Sequence, residues 1–306
     1  MSWQRRAINT WMRHGVKPVL ERAGHPDLAR RSFECLAPVL SPALPLTRFQ
    51  RRPGPVPLYL LSQGKCQPGR VILFLHGGAY LAGSARSYQG MLSRLSRACA
   101  TEILIPDYRL LQQAPFPAAF DDALACWHHL RRSGYTARDI LLAGDSAGGG
   151  LALALFAHLL SEQEPEQERP AGLVAFSPWC DLTLSGASVL GNRHRDAIIP
   201  TARMQEAVDL YLGGAQPTDP RASPLFADFP NPPPVLIQVG DGEVLRSDAD
   251  RMAAQLQAAG GEVHLKVWQD VPHVWQFLAG ILPEGQAALE EAAAFANVAF
   301  ATASAE

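Results

Sequence analysis

No stretch of this 306-residue chain is apolar for long enough to cross a bilayer, and its N-terminal stretch lacks the uninterrupted apolar centre of a secretion signal. Cysteine is scarce. The five copies (Cys35, Cys66, Cys99, Cys126 and Cys180) are odd in number and scattered without ligand-like spacing, so they read as reduced, mostly buried thiols. Neither a disulfide framework nor a metal centre is implied, and a cytoplasmic location is the expectation. Excess charge of one sign is also missing: 27 basic against 29 acidic side chains leave a formal net charge of −2. Without a basic field over the whole molecule, nucleic acid is not an expected partner. No internal repeat is evident.

What remains is an ordinary globular composition, 47% hydrophobic and 18% charged, in a chain long enough for one large α/β domain or two small ones. Short, mostly continuous apolar runs at 56–61, 71–75, 102–105, 140–143, 173–176 and 235–239 read as strands covered on both faces. A seventh, 263–268, alternates Val263, Leu265 and Val267 with His264 and Lys266, which suits a strand near the sheet edge with one wetter face. Helical segments near 89–99, 118–132, 147–160, 247–259 and 283–300 fall between or after them. This alternation predicts an α/β fold with a mainly parallel central sheet flanked by helices.

Two segments break the rhythm. Residues 1–45 read as two short amphipathic helices, with Trp3, Ile8, Trp11, Met12 and Val16 on one side, and 185–230 as an insertion with one helix at 201–212. Both are candidates for a helical cap, so the core is expected at 46–184 and 231–306. Residues 1–31 carry seven basic side chains (Arg5, Arg6, Arg13, Lys17, Arg22, Arg30, Arg31) against Glu21 and Asp27. That excess fits a cap with a solvated outer face better than docking on anionic lipid, since no second anchoring signal accompanies it, and no stable membrane insertion is expected. The polar run 161–169 reads as a solvated loop.

The chemistry concentrates in Gly144-Asp145-Ser146-Ala147-Gly148, between an apolar strand and an apolar helix. A serine between glycines at such a junction reads as a nucleophile elbow, its hydroxyl exposed at the top of the sheet. A serine hydroxyl needs a base, and His273, on the loop after the last strand, is the candidate. His128, His129, His158, His194 and His264 sit on helices, the insertion or a strand and fit bland roles. The acid that orients the histidine is sought after strand 235–239, where Asp241, Glu243 and Asp248 compete. Asp248 falls in the first turn of the next helix, where it complements the helix dipole, and loop position favours Glu243 over Asp241. His76-Gly77-Gly78-Ala79-Tyr80 follows a strand where an oxyanion loop belongs, making Gly77, Gly78 and Ala79, with Ala147, the candidate oxyanion hole. Tyr80 is a candidate pocket residue; Asp145 reads as a cap for its own helix, and Asp181, Tyr108 and Arg109 as supports.

Taken together, His76 to Tyr80, Asp107-Tyr108-Arg109-Leu110, Pro115-Phe116-Pro117-Ala118-Ala119, Gly144 to Gly149, Ser177-Pro178-Trp179-Cys180-Asp181-Leu182 and Pro272-His273 resemble the bacterial hormone-sensitive-lipase family of esterases, over about residues 55–300. The resemblance implies an α/β-hydrolase core with a two-part cap, cofactor-free hydrolysis of short- to medium-chain carboxylic esters, and a small-molecule ester as partner. Some members place glutamate just before Val-Leu or Pro-Leu, which supports Glu243. The commoner oxyanion motif has three glycines; here Ala79 stands third, its N–H expected to stay available with a negative φ. Related loops are associated with esters of tertiary alcohols, an activity expected on that ground alone. The same machinery serves lactones, amides or carbamates, and a non-catalytic receptor on this fold is the rival from another class. Strand 263–268 is a candidate for pairing with its copy in a homodimer.

Overall fold

The computed structural model describes residues 2–22, 26–161 and 169–305, so most of the polar run at 161–169 lies outside the described residues. Its centre is an eight-stranded sheet: β1 (Arg48–Arg52), β2 (Leu58–Ser62), β3 (Val71–Leu75), β4 (Glu102–Pro106), β5 (Ile140–Asp145), β6 (Gly172–Phe176), β7 (Val235–Gly240) and β8 (Val263–Trp268). The spatial order is β1-β2-β4-β3-β5-β6-β7-β8. From β4 across to β8 all pairs are parallel, whereas β1–β2 and β2–β4 are antiparallel.

The period of two along each strand divides the core. In β3, Val71, Leu73 and Leu75 join one apolar cluster, and Ile72 and Phe74 join the other. The first cluster takes in α5 (Ala118–Arg132), α6 (Ser146–Ser161) and α9 (Arg246–Ala258); the second takes in α4 (Gln89–Cys99) and α10 (Pro283–Ala305). Helix α6 runs through the interior, buried without a break from Ala147 to Ala157, which explains its apolar character on every face. β8 closes one edge, its residues alternating between half-buried and exposed through Lys266, as the sequence pattern predicts. The other edge, β1, has the sequence Arg-Phe-Gln-Arg-Arg and was not among the expected strands; an exposed, charged edge strand carries no apolar run to reveal it.

The two segments outside the sheet lie against the carboxyl ends of the strands. The N-terminal segment forms α1 (Trp3–Trp11), a π-helical turn (Met12–Val16), α2 (Lys17–Arg22) and α3 (Pro26–Leu40). The insertion contains α7 (Ala187–Gly191) and α8 (Met204–Leu212). Helix α3 is tethered to the turn beyond β3, where the Ser84 hydroxyl donates to Glu34 at 2.7 Å. Lys17, buried on the other arm, donates to the backbone carbonyls of Arg193 and Asp196 in the insertion at 2.7 and 2.9 Å. No helix among the described residues is long and apolar enough to cross a membrane.

Candidate active site

Ser146 occupies the turn from β5 into α6, and its φ of +52° is left-handed, as a sharp elbow requires. The glycines beside it leave no room for a side chain. A Cβ on Gly148 would stand 2.2 Å from the Leu75 carbonyl oxygen and 2.3 Å from that of His76; one on Gly144 would stand 2.3 Å from the Gly148 carbonyl oxygen. These contacts are with backbone, which cannot swing aside, so the elbow needs glycine for close approach.

Three strand ends bring Ser146, His273 and Glu243 together. The loop after β8 places His273 with Nε2 2.9 Å from the Ser146 hydroxyl. The loop after β7 places Glu243 with Oε2 2.6 Å from His273 Nδ1. Glu243 is 1% exposed, and its other oxygen, Oε1, accepts from the Gly240 N–H at 2.6 Å and from the Ser177 hydroxyl at 2.7 Å. Burial pushes the Glu243 carboxyl above the usual carboxylate range, against the opposing pull of His273. Burial also pulls the His273 imidazole down, but the facing charge and hydrogen bond of Glu243, with a further contribution from Asp196, outweigh it. The imidazole therefore stands above its ordinary value.

The competing acids go elsewhere. Asp241 pairs with Arg195 at 2.7 Å and accepts the Asp270 N–H at 2.7 Å, so it anchors the histidine loop without touching the ring. Asp248 does lie in the first turn of α9, but its carboxylate accepts the N–H groups of Cys180 and Asp181 at 2.9 and 3.0 Å and pairs with Arg251. Burial pushes it up to about 6. Asp181 binds Ser185 and Arg251 beside it.

The oxyanion loop departs from expectation at two points. The Gly77 N–H is directed at Asp145 Oδ1 (2.8 Å) and the Tyr88 hydroxyl oxygen (3.1 Å), so Gly77 shapes the loop and its hydrogen is committed. Ala79 has φ +53°, followed by Tyr80 at +60°, where a negative φ was expected. The two residues lie in a tight turn in which the Leu81 and Ala82 N–H groups both bond to the Gly78 carbonyl at 3.0 Å. Among the described residues no acceptor takes the N–H of Gly78 or Ala79, and Ala147 sits in the first turn of α6, where N–H groups have no intrahelical acceptor.

Asp145 likewise does not cap its own helix. Besides Gly77, it accepts the Tyr88 hydroxyl at 2.8 Å, joining the elbow to the oxyanion loop; burial pushes it up to about 7 against these bonds. His76, pulled down to about 4 by burial, stacks on Tyr108 at 4.4 Å between ring centroids, and the Tyr108 hydroxyl donates to the His76 carbonyl. Arg109 pairs with Asp122 at 2.7 Å. Tyr80 is fully buried and stacks face to face on Tyr211 of α8 at 3.7 Å, so the loop after β3 and the insertion meet through this pair.

Ser177, Tyr88 and Asp196 also belong to the site, although no motif gives them a role. Asp196 is buried in the insertion and accepts the N–H groups of Ile198, Ile199 and Val244, tying the insertion to the glutamate loop. Ser177 was within reach of the sequence, because it ends the strand beside β7 and so stands next to the glutamate loop.

Residues 72–277 match the α/β hydrolase fold family. An acetyl-hydrolase of Streptomyces hygroscopicus is 40% identical over 233 residues, covering 76% of this chain and 77% of the relative. An esterase of Acinetobacter venetianus is 35% identical over 229 residues, covering 74% and 75%. The crystal structure of an esterase from the bacterial hormone-sensitive lipase family superposes with a TM-score of 0.90 at 36% identity, over 98% of this chain and 99% of that one.

Two substitutions test this geometry. Gly148→Ala should destabilise the protein by about 3 kcal/mol or more, because its methyl meets two backbone carbonyls, and urea denaturation reads the loss. Ser177→Ala removes one of two donors to Glu243 Oε1; kcat should fall roughly tenfold with KM unchanged, the signature of a positioning residue.

Proposed function

The chain belongs to the α/β-hydrolase fold family, among the esterases of the bacterial hormone-sensitive-lipase type, and from that premise we propose that Ser146, His273 and Glu243 are its catalytic triad. The observation that carries the reading is the unbroken chain from the Ser146 hydroxyl through both His273 nitrogens to the buried Glu243 carboxylate. His273 takes the hydroxyl proton as Ser146 attacks the ester carbonyl, and N–H groups of Gly78, Ala79 and Ala147 receive the oxyanion. The tetrahedral intermediate expels the alcohol, protonated by His273, and leaves an acyl-serine. Water, deprotonated by the same histidine, attacks the acyl group and releases the acid and free Ser146. Glu243 holds the tautomer with Nε2 free to accept and stabilises the imidazolium.

The N-terminal helices and the insertion serve as the cap. Supporting this, both are tied by side-chain hydrogen bonds to the loops that carry the triad and the oxyanion hole. Tyr80, packed on Tyr211, forms an apolar wall between cap and oxyanion loop and limits the acyl pocket. The name of the Streptomyces relative, an acetyl-hydrolase, favours the short end of the acyl range. Cytoplasmic residence, with a homodimer formed by edge pairing of β8, completes the proposal.

Hydrolysis of p-nitrophenyl esters from acetate to palmitate should peak at short chains, and Ser146→Ala should lose at least about 10⁴-fold in kcat. Equal release by both proteins would remove Ser146 from the mechanism. A parallel comparison of tert-butyl with n-butyl acetate checks the tertiary-alcohol expectation, which no turnover of the former would end.

The pH dependence follows from His273. As base it must be neutral, so kcat/KM should fall as pH drops through a value above the ordinary histidine 6.5. Glu243→Gln removes the charge that raises the imidazole, so the acid limb should move to lower pH while kcat drops by roughly 10²–10⁴. A pH–rate profile of both proteins reads the two effects.

A further inference from the structure

The first helical rod is inverted over part of its surface. Its inward face carries Arg5, Asn9, Met12 and Lys17, all buried, with Ile8 and Val16 half-buried against the same apolar cluster as Met12. Arg5 donates to the Gln269 carbonyl at 2.8 Å and Asn9 to the Asp270 carbonyl at 2.7 Å, three residues before His273, and Lys17 holds the two carbonyls in the insertion. These polar side chains face inward because they satisfy backbone carbonyls of the loops beneath them. The outward stripe is Trp3, Arg6, Ala7, Thr10, Trp11, His14, Gly15 and Val19. Trp3 is 75% exposed, Val19 64% and Trp11 49%, so both tryptophans of the rod face solvent while three of its polar side chains, Arg5, Asn9 and Lys17, are buried. A surface helix that served only as a cover would keep its tryptophans on the inward face with Ile8, Met12 and Val16.

We propose that this outward stripe is a docking surface for anionic phospholipid, adsorbing the protein reversibly with the axis of α1 along the membrane plane. Tryptophan is the side chain most at home at the bilayer interface, where its ring enters the acyl boundary and its N–H meets the headgroups. Charge complementarity selects the occupant. From Ser2 to Leu20 the chain has no acidic residue, and Arg6 and His14 lie on the exposed stripe, with Arg13 half-buried beside it; the first carboxylate, Glu21, comes at the far end next to Arg22. A second copy of this chain is disfavoured, since a two-fold contact between these stripes would bury Arg6 of both copies and bring no carboxylate to meet them. Docking leaves the inward face, and with it the histidine loop, in place. One short basic apolar face gives marginal, salt-sensitive binding, in keeping with the absence of a spanning helix among the described residues.

The test is co-sedimentation of the full chain with phosphatidylcholine vesicles containing about 30% phosphatidylglycerol, beside pure phosphatidylcholine, at low and high salt. The wild type should bind the anionic vesicles at least about tenfold better than the neutral ones, and lose that binding at high salt. The double variant Trp3→Ala with Trp11→Ala should bind at least about tenfold more weakly while its turnover of a soluble p-nitrophenyl ester and its thermal midpoint stay unchanged. Three results would overturn the proposal. They are absence of wild-type binding to anionic vesicles, undiminished binding by the double variant, and a wild-type dimer in light scattering that the double variant converts to monomer, which would assign the stripe to a second copy.

Discussion

The hydrogen bond from His273 to the buried carboxylate of Glu243 is the interaction on which the rest of the site depends. A carboxylate at 1% exposure is costly unless its oxygens are satisfied, and here every partner comes from a different part of the chain. Ser177 arrives from the end of β6 and Gly240 from the end of β7, while His273 comes from the loop after β8. The glutamate loop is held in turn by the insertion, through Asn192 on the Glu243 carbonyl and Asp196 on the Val244 N–H. The histidine loop is held by Asp241 and by Arg5 and Asn9 of the first helix. The segments outside the sheet are therefore part of what positions His273 and Glu243.

A parallel sheet makes this convergence cheap, because the loops after β3, β5, β6, β7 and β8 all emerge at one end. The local cost is visible in the backbone. Ala79, Tyr80, Ser146, Ser177 and Val274 all have positive φ although none is glycine, and all belong to the site or adjoin it. Such residues cost of order 1–3 kcal/mol each and persist where the surroundings over-determine them. Asp145 supplies part of that determination by bridging the elbow to the oxyanion loop through Gly77 and Tyr88.

What the sequence disclosed follows from how local each signal is. The strands from 71 onward are legible as apolar runs, and Ser146 and His273 stand out because an elbow and a final loop are short-range features. Favouring Glu243 over Asp241 agrees with the contacts each makes, but nothing local forbade the other: the two lie two residues apart, and tertiary packing alone directs one to His273 and the other to Arg195. β1 escaped notice because a charged edge strand has no pattern of burial. The committed Gly77 N–H escaped for a different reason, since it is set by partners distant in sequence, Asp145 above all, and the left-handed Ala79 belongs to a turn that no residue type in the motif marks. The buried polar side chains of α1 and α2 were equally hidden: Arg5, Asn9 and Lys17 look solvated until the carbonyls of residues 193, 196, 269 and 270 are placed beneath them.

The central claim is that Ser146 is a nucleophile made reactive by the His273–Glu243 pair. Treatment with diethyl p-nitrophenyl phosphate, followed by mass spectrometry of the intact and digested protein, tests it directly. The account predicts a single diethylphosphoryl group on Ser146, one equivalent of p-nitrophenol released, and a labelling rate that falls on the acid side with the titration of His273. Labelling at another residue, or none at a pH where esters are hydrolysed, would contradict it.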